Sequence, residues 1–312
     1  MLKQILHDHL DGGLRPATAL ELAKSINYKP LLEIEDVESF FDRSLSNSLE
    51  EYLEAFTHTI ALMQNFSSIE RIAFEAAEDM HKNGIDYYES RYAPFYSVNS
   101  NTTPLEVIDA INSGFKLAED SYGIKSGLIL CGMRHDTEDV INVANLCVEV
   151  KDKIIGFDIA GPELNYPPSL FSESFKKVKD SGINITIHAG EGDGVNSIND
   201  ALENGAMRIG HGVRIIEDIN DEKFGTTASK ILDLQVPLEI CITSNIHTNM
   251  YEDYDSHPIV DLVDYGFNVY LNTDNRLMSN TSVSNELEIA KGLGIENVEK
   301  LLMYSASDSF FD

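Results

Sequence analysis

Nowhere do the 312 residues hold an apolar run near the roughly 18 that a membrane-spanning helix needs, so a helical membrane protein is excluded. The start, MLKQILHDHL, lacks a basic-then-apolar signal region, and cytoplasmic residence is the expectation. Cysteine is scarce. Cys131, Cys147 and Cys241 are odd in number and form no C-x-x-C, which argues against a disulfide framework and against a thiolate metal site. Cys131 and Cys241 sit in apolar runs and read as inert core residues. Basic residues are outnumbered, with 23 Lys and Arg against 52 Asp and Glu and a net charge of −29 at pH 7. Such a charge repels phosphate backbones and anionic lipid, so neither nucleic acid nor membrane is an expected partner. Asp11-Gly12-Gly13 follows the first apolar run where a G-x-G-x-x-G would be needed, so a dinucleotide site has no support. No Pro/Gly/Ser linker, low-complexity tract or repeat divides the chain.

What is present is a soluble globular composition, 43% hydrophobic and 24% charged, in a chain long enough to bury a large core. The acids are scattered over helical faces (Glu33, Glu35, Asp36 and Glu38; Glu50, Glu51 and Glu54) and read as a solvated surface, with adaptation to high salt as the functional alternative. A short apolar run ending in a polar cluster recurs eight times. The runs are Ile5-Leu6, Ile85–Tyr88, Gly127–Cys131, Ile154–Ile159, Ile183–Ile187, Met207–Ile209, Pro237–Ile242 and Phe267–Leu271. Between them lie helical periodicities at Ile69–Lys82, Leu105–Tyr122, Val140–Lys151, Leu170–Ser181 and Ser197–Asn204. Eight alternations of strand and helix predict an α/β protein, a (β/α)₈ TIM barrel forming one domain over residues 1–312. Pro16 to Leu62 is helix-patterned too and reads as a helical lid inserted after the first strand, over about residues 16–66.

In such a barrel the functional groups sit at the carboxyl ends of the strands. These ends supply His7, His9 and Asp11; Glu89 and Arg91; Arg134 and His135; Asp158, Gly161 and Glu163; His188 and Glu191; His211; Ser244 and Asn245; and Thr273, Asp274 and Asn275. His7 and His9, two apart in a strand, project to one face while Asp8 points away. That pair alone is weak, but His188 and His211 join His7 and His9 at ends that a barrel brings together, and a transition-metal site follows. The other histidines, His58, His81, His135, His247 and His257, read as surface, helical or supporting residues. No lysine ends the fourth strand to bridge two metals, so one metal is the expected count.

The segments HDHLDGGLRP, GFDIAGPE, TIHAGEG, RIGHGVR and LNTDNRLMS, in that order from Leu6 to about Leu287, together resemble the adenosine deaminase family of the amidohydrolase superfamily. The resemblance implies a barrel with one Zn²⁺ per chain that hydrolyses the 6-amino group of a purine nucleoside. It implies deamination of adenosine, and of 2′-deoxyadenosine, to the inosine product and ammonia in purine salvage. It places His7, His9, His188 and Asp274 as zinc ligands and Glu191 and His211 as the catalytic pair. Asp11, Gly161 and Asn275 match substrate-contacting positions, and Tyr52, Leu53 and Phe56 match the apolar wall over the nucleoside. The only partner implied is a small-molecule nucleoside; the oligomeric state is not implied.

The chemistry agrees with the resemblance. Three imidazoles and a carboxylate leave a position for water, whose pKa a zinc lowers toward about 7. Glu191 stands three residues beyond His188, beside the metal and outside its ligand set, and needs a raised pKa to protonate a ring nitrogen. His211 is expected to orient the water, accept its proton and stabilise the developing alkoxide. Asp158 reads as a supporting acid. Asp11 suits a ribose hydroxyl, and Gly161 lets its N–H approach a purine nitrogen. Two departures from the family pattern stand out. Asn275 replaces a second aspartate, and its amide always offers a donor to purine N7. The Asn-Arg that follows Asp274 looks like a bacterial branch. The chain also stops about one helix sooner than is usual in the family, which bears on stability or packing more than on chemistry. Adenine or methylthioadenosine are the alternative substrates, and a catalytically inactive binding relative is the alternative class. The H-x-E with P-C-x-x-C of cytidine-type enzymes is absent.

Overall fold

In the computed structural model, residues 1–46, 48–221 and 223–311 are described, with Glu50 described in its backbone alone. Eight parallel strands follow one another in a single sheet. They are β1 (Gln4–Ile5), β2 (Tyr87–Tyr92), β3 (Lys125–Met133), β4 (Gly156–Ala160), β5 (Asn184–Ala189), β6 (Arg208–His211), β7 (Leu238–Ile240) and β8 (Val269–Leu271). The first and last strands meet beyond their ends, where Asp8 and Asp274 form a parallel bridge. There His9 N donates to Asp274 O at 2.9 Å and Asp274 N donates to His7 O at 3.1 Å. The architecture is the expected (β/α)₈ barrel.

Bounds differ from the expectation where polar residues belong to a strand. Strand β2 runs on through Glu89, Ser90 and Arg91, all buried, because this barrel's interior carries charge. Arg91 pairs with Asp158 at 2.6 Å and Glu239 at 2.9 Å, and Arg208 pairs with Glu89 at 2.5 Å and Glu239 at 2.7 Å. At the strand amino ends the final residues close the floor, with Ser309 Oγ and Phe310 N donating to Glu89 Oε1 and the Phe310 ring lying 3.6 Å from the Arg208 guanidinium carbon. Such a network replaces part of the aliphatic layering usual in these barrels. The expected run Pro237–Ile242 is also shorter as a strand. It stops at Ile240, and Ile242 begins the helix Ile242–His247.

The helices follow their sequence signals. Pro104–Tyr122 opens with a Thr103/Glu106 capping box and Pro104 in its first turn, and ends at Gly123 in the left-handed region, φ 79°. Its apolar face, Val107, Ile111 and Phe115, packs on Phe66–Lys82, where Ile69, Ala73 and Ala76 are buried. A side chain at Gly114 would run into the Glu70 carbonyl, so the glycine sets how closely these helices approach. Between β1 and β2 lie the helices Pro16–Ile26, Lys29–Leu32, Val37–Phe41, Leu49–Leu53 and Phe56–Leu62. Among the described residues no helix is long and apolar enough to cross a membrane.

Candidate active site

A cavity of about 440 Å³ opens at the carboxyl ends of the strands. Its floor carries His9, His188, His211, Asp274 and Glu191. Its walls carry Asp11, Gly161, Asn275, Tyr52, Leu53 and Phe56, so the resemblance-derived substrate positions all face one space. His7 sits behind, fully buried.

Two imidazoles are aimed by carboxylates. His7 Nδ1 lies 2.9 Å from Glu239 Oε2, and His188 Nδ1 lies 2.8 Å from Asp158 Oδ2. Carboxylate–histidine pairing of this kind turns the opposite nitrogen, Nε2, toward a metal. His7 Nε2 and Asp274 Oδ1 are 3.5 Å apart, both buried without a hydrogen-bond partner. His9 Nε2 is 3.1 Å from His188 Nε2 and 3.5 Å from Asp274 Oδ1. His7, His188, His211 and Asp274 can each present one ligand atom within 4.8 Å of the others. Unpaired imidazole nitrogens and a carboxylate oxygen converging in a buried space fit a borderline metal ion such as zinc.

The electrostatics agree. Burial pushes His9, His188 and His211 down, so they are neutral and able to ligate. Burial and Arg91 oppose a charge on His7, yet the nearby carboxylates of Asp274 and Glu239 hold it above its ordinary value, a mark of excess anion in the cluster. Asp274 is buried too, which favours its neutral form, but the surrounding imidazoles hold it well below the usual carboxylate range. Glu191 goes the other way: burial first, then the charges of Asp274 and Glu163, push it well above that range. Its surroundings therefore favour the protonated acid. Its Oε2 lies 3.6 Å from His211 Nε2.

Local structure fixes these positions. His211 (φ 60°) and Asp274 (φ 55°) both adopt the left-handed region, which residues other than glycine rarely occupy and which concentrates at functional sites. Glu163 accepts from the Gly190 and Glu191 amides at 2.7 and 2.9 Å and holds the loop that carries the acid. Gly161 has φ 90°, and a side chain there would press on Met133 and His135. Ser244 Oγ donates to Asp274 Oδ2 at 2.5 Å, and Asn245 Nδ2 lies 3.1 Å from His211 Nδ1.

Sequence reasoning missed several contributors. Glu239, the buried partner of His7, lies inside an apolar run and looked like a strand residue. Cys131 is buried, and burial pushes its thiol up, as suits an inert residue, but it lines the cavity instead of sitting only in the core. His135, at the end of the third strand and read from the sequence as a surface, helical or supporting residue, lines the cavity beside Gly161. Thr57 and Ile60 extend the wall beyond Phe56, and the helical spacing Tyr52, Phe56, Ile60 was the signal available.

Residues 3–312 match the family model described as adenosine deaminase. The chain is 39% identical to an adenosine deaminase of Mycobacterium marinum, across 99% of this chain and 90% of that protein. It is 42% identical to adenosine deaminase 1 of Streptomyces coelicolor, across 92% and 76% respectively. Among solved structures, the N6-methyl-AMP deaminase of Arabidopsis thaliana superposes with a TM-score of 0.81 at 28% identity, across 100% of this chain and 93% of that one.

Proposed function

Because this chain belongs to the adenosine deaminase family, we propose that it hydrolyses adenosine and 2′-deoxyadenosine at the 6-amino group, releasing ammonia and the inosine product. Water adds its oxygen to C6 as the C6–N bond breaks; in net, one of its protons leaves with the amine as ammonia and the other is balanced by the proton gained at ring N1. His7, His9, His188 and Asp274 would hold one Zn²⁺ per chain, which would supply positive charge that lowers the pKa of a water toward neutral.

The remaining work falls to side chains of the cavity. Glu191, kept protonated by its surroundings, donates to ring N1 and makes C6 electrophilic. His211 Nε2 faces the same space as the Glu191 carboxyl and orients the attacking water. Ser244 holds the Asp274 carboxylate from the side away from the cluster. Asp11, buried at the cavity wall with Oδ1 unpartnered, takes a ribose hydroxyl. The Gly161 N–H takes purine N3, and the Asn275 amide donates to N7. Tyr52, Leu53 and Phe56 cover the base, and the helices of residues 16–66 act as the lid. None of the described lining residues is Lys or Arg, so a 5′-phosphate finds no counter-charge.

The observation that carries this reading is a buried Glu191, in surroundings that favour its acid form, sharing one cavity with the histidine–aspartate cluster. Its test is the ultraviolet change on mixing zinc-loaded protein with adenosine, adenine, methylthioadenosine or AMP, with and without chelator. Adenosine is expected to react, and chelator to stop it. Absence of turnover with every 6-aminopurine overturns the enzyme reading, and preference for adenine overturns the role of Asp11.

A further inference from the structure

We propose that Asn245 and His257 fix the tautomer of His211, so that His211 Nε2 enters the cavity as a hydrogen-bond donor. The inference deepens the reading above, resting on His211 acting at the purine site, and it begins far from that site at a backbone amide. Ile259 is the first residue of the helix Ile259–Asp264, where an amide has no partner within the helix. Its N–H donates to His257 Nδ1 at 3.2 Å. A backbone N–H cannot reverse, so Nδ1 accepts. His257 is buried, which pushes its imidazole down to about 3 and keeps it neutral. A neutral imidazole carries one proton, and here that proton is on Nε2.

His257 Nε2 lies 3.2 Å from Asn245 Oδ1, and the ring donates to the amide oxygen. The Asn245 NH₂ is thereby turned to His211, with Nδ2 3.1 Å from His211 Nδ1. The reversed amide would set two donors against each other at His257, so the network itself assigns the orientation. His211 Nδ1 accepts, and the single proton of this second imidazole stands on Nε2. That nitrogen is buried, has no hydrogen-bond partner, and lies 3.6 Å from Glu191 Oε2. His211, His257 and Asn245 are all nearly inaccessible to water, so no solvent molecule competes for the relay.

The consequence alters one sequence-based expectation. A resting His211 with a proton on Nε2 meets the attacking oxygen as a donor that stabilises negative charge, not as the first acceptor of its proton. Asn245 and His257 are positioning residues. They touch neither substrate nor metal cluster and act through His211.

Asn245→Asp tests the polarity with little change in shape, since a carboxylate accepts from both rings and transfers the His211 proton to Nδ1. Losing a preorganised donor of this kind costs about 10²–10³-fold in kcat, with KM for adenosine within about threefold. His257→Phe removes the Nε2 donor and is expected to lower kcat, whereas His257→Gln keeps a donor near the same place and is expected to restore most of it. Independently of turnover, long-range ¹H–¹⁵N correlations on the zinc-loaded protein with labelled histidine report each tautomer. His211 and His257 are both expected as Nε2–H forms, with His211 changing to Nδ1–H in Asn245→Asp. A wild-type His211 protonated on Nδ1 overturns the proposal, as does full activity in Asn245→Asp. Failure of the deaminase reading would show instead as no turnover, with the tautomer spectrum still legible.

Discussion

Two carboxyl groups of the same cavity are driven to opposite protonation states by what surrounds them. Asp274 is ringed by imidazoles that favour its ionised form; Glu191 has burial and two neighbouring acids against ionisation, which favour its protonated form. Only the protonated acid can donate to a ring nitrogen. Rate is therefore expected to fall toward alkaline pH as Glu191 loses its proton, and Glu191→Gln should keep the metal while losing about 10²–10⁴-fold in rate. Metal analysis and turnover on the same preparation check both halves, and a drop in bound metal would place Glu191 among the ligands instead. At this scale much of the site was legible. His7, His9, His188, Glu191, His211 and Asp274 each follow an apolar run, so chain position alone put them at strand ends. Glu239, Asn245 and His257 were not legible as a system. Glu239 and Asn245 meet His7 and His211 from distant parts of the chain, and His257 joins only through Asn245, so folding alone brings the set together.

At the level of elements, apolar runs marked all eight strands because each is enclosed by helices on its outer side. The runs gave poor bounds where the interior face is charged, as in β2 with Glu89 and Arg91, since a buried ion network mimics a loop in hydropathy. The helix Ile242–His247 was hidden for a related reason, being six mostly buried residues that continue the apolar run of β7. Its start is held by Glu286, from the helix Val283–Gly292. Glu286 Oε2 accepts from Thr243 N at 3.3 Å, and Oε1 accepts from Thr281 Oγ1 at 2.7 Å. Among the described residues no ion pair answers this carboxyl, and burial pushes it up to about 7. The unfolded chain releases the same proton near pH 4.5, so between about 4.5 and 7 it binds fewer protons than the fold, and stability falls as pH rises. The cost is complete above pH 7. Glu286→Gln is expected to be more stable than the parent at pH 8, by an amount on the order of 1–3 kcal/mol, and no more stable near pH 4. Denaturant midpoints at the two pH values decide it. A difference that does not change with pH would mean that Glu286 titrates alike in the fold and in the unfolded chain.

For the whole molecule, the dominant quantity is the charge of −29, and its placement matters more than its size. The barrel interior sets Arg91 and Arg208 against Glu89, Asp158 and Glu239, one cation short of balance, so most of the excess lies outside. Many surface cations are already engaged there. Arg15 reaches Glu78 and Asp79, Arg71 reaches Glu21 and Glu75, and Lys116 reaches Glu119 and Asp120. Exposed pairs of this sort contribute little each, while the remaining acids repel over the Debye length, about 30 Å at 0.01 M salt and about 8 Å at 0.15 M. Screening therefore removes more repulsion than attraction. The thermal midpoint is expected to rise by several degrees between about 0.01 M and 0.2 M NaCl and then flatten, because further salt shortens a length already below the spacing of most surface charges. KCl should act like NaCl, since screening depends on ionic strength. A midpoint that falls with salt would show that the surface ion pairs outweigh the repulsion. A rise that continues steeply into molar salt would point instead to the high-salt adaptation that the acid-rich composition also admits.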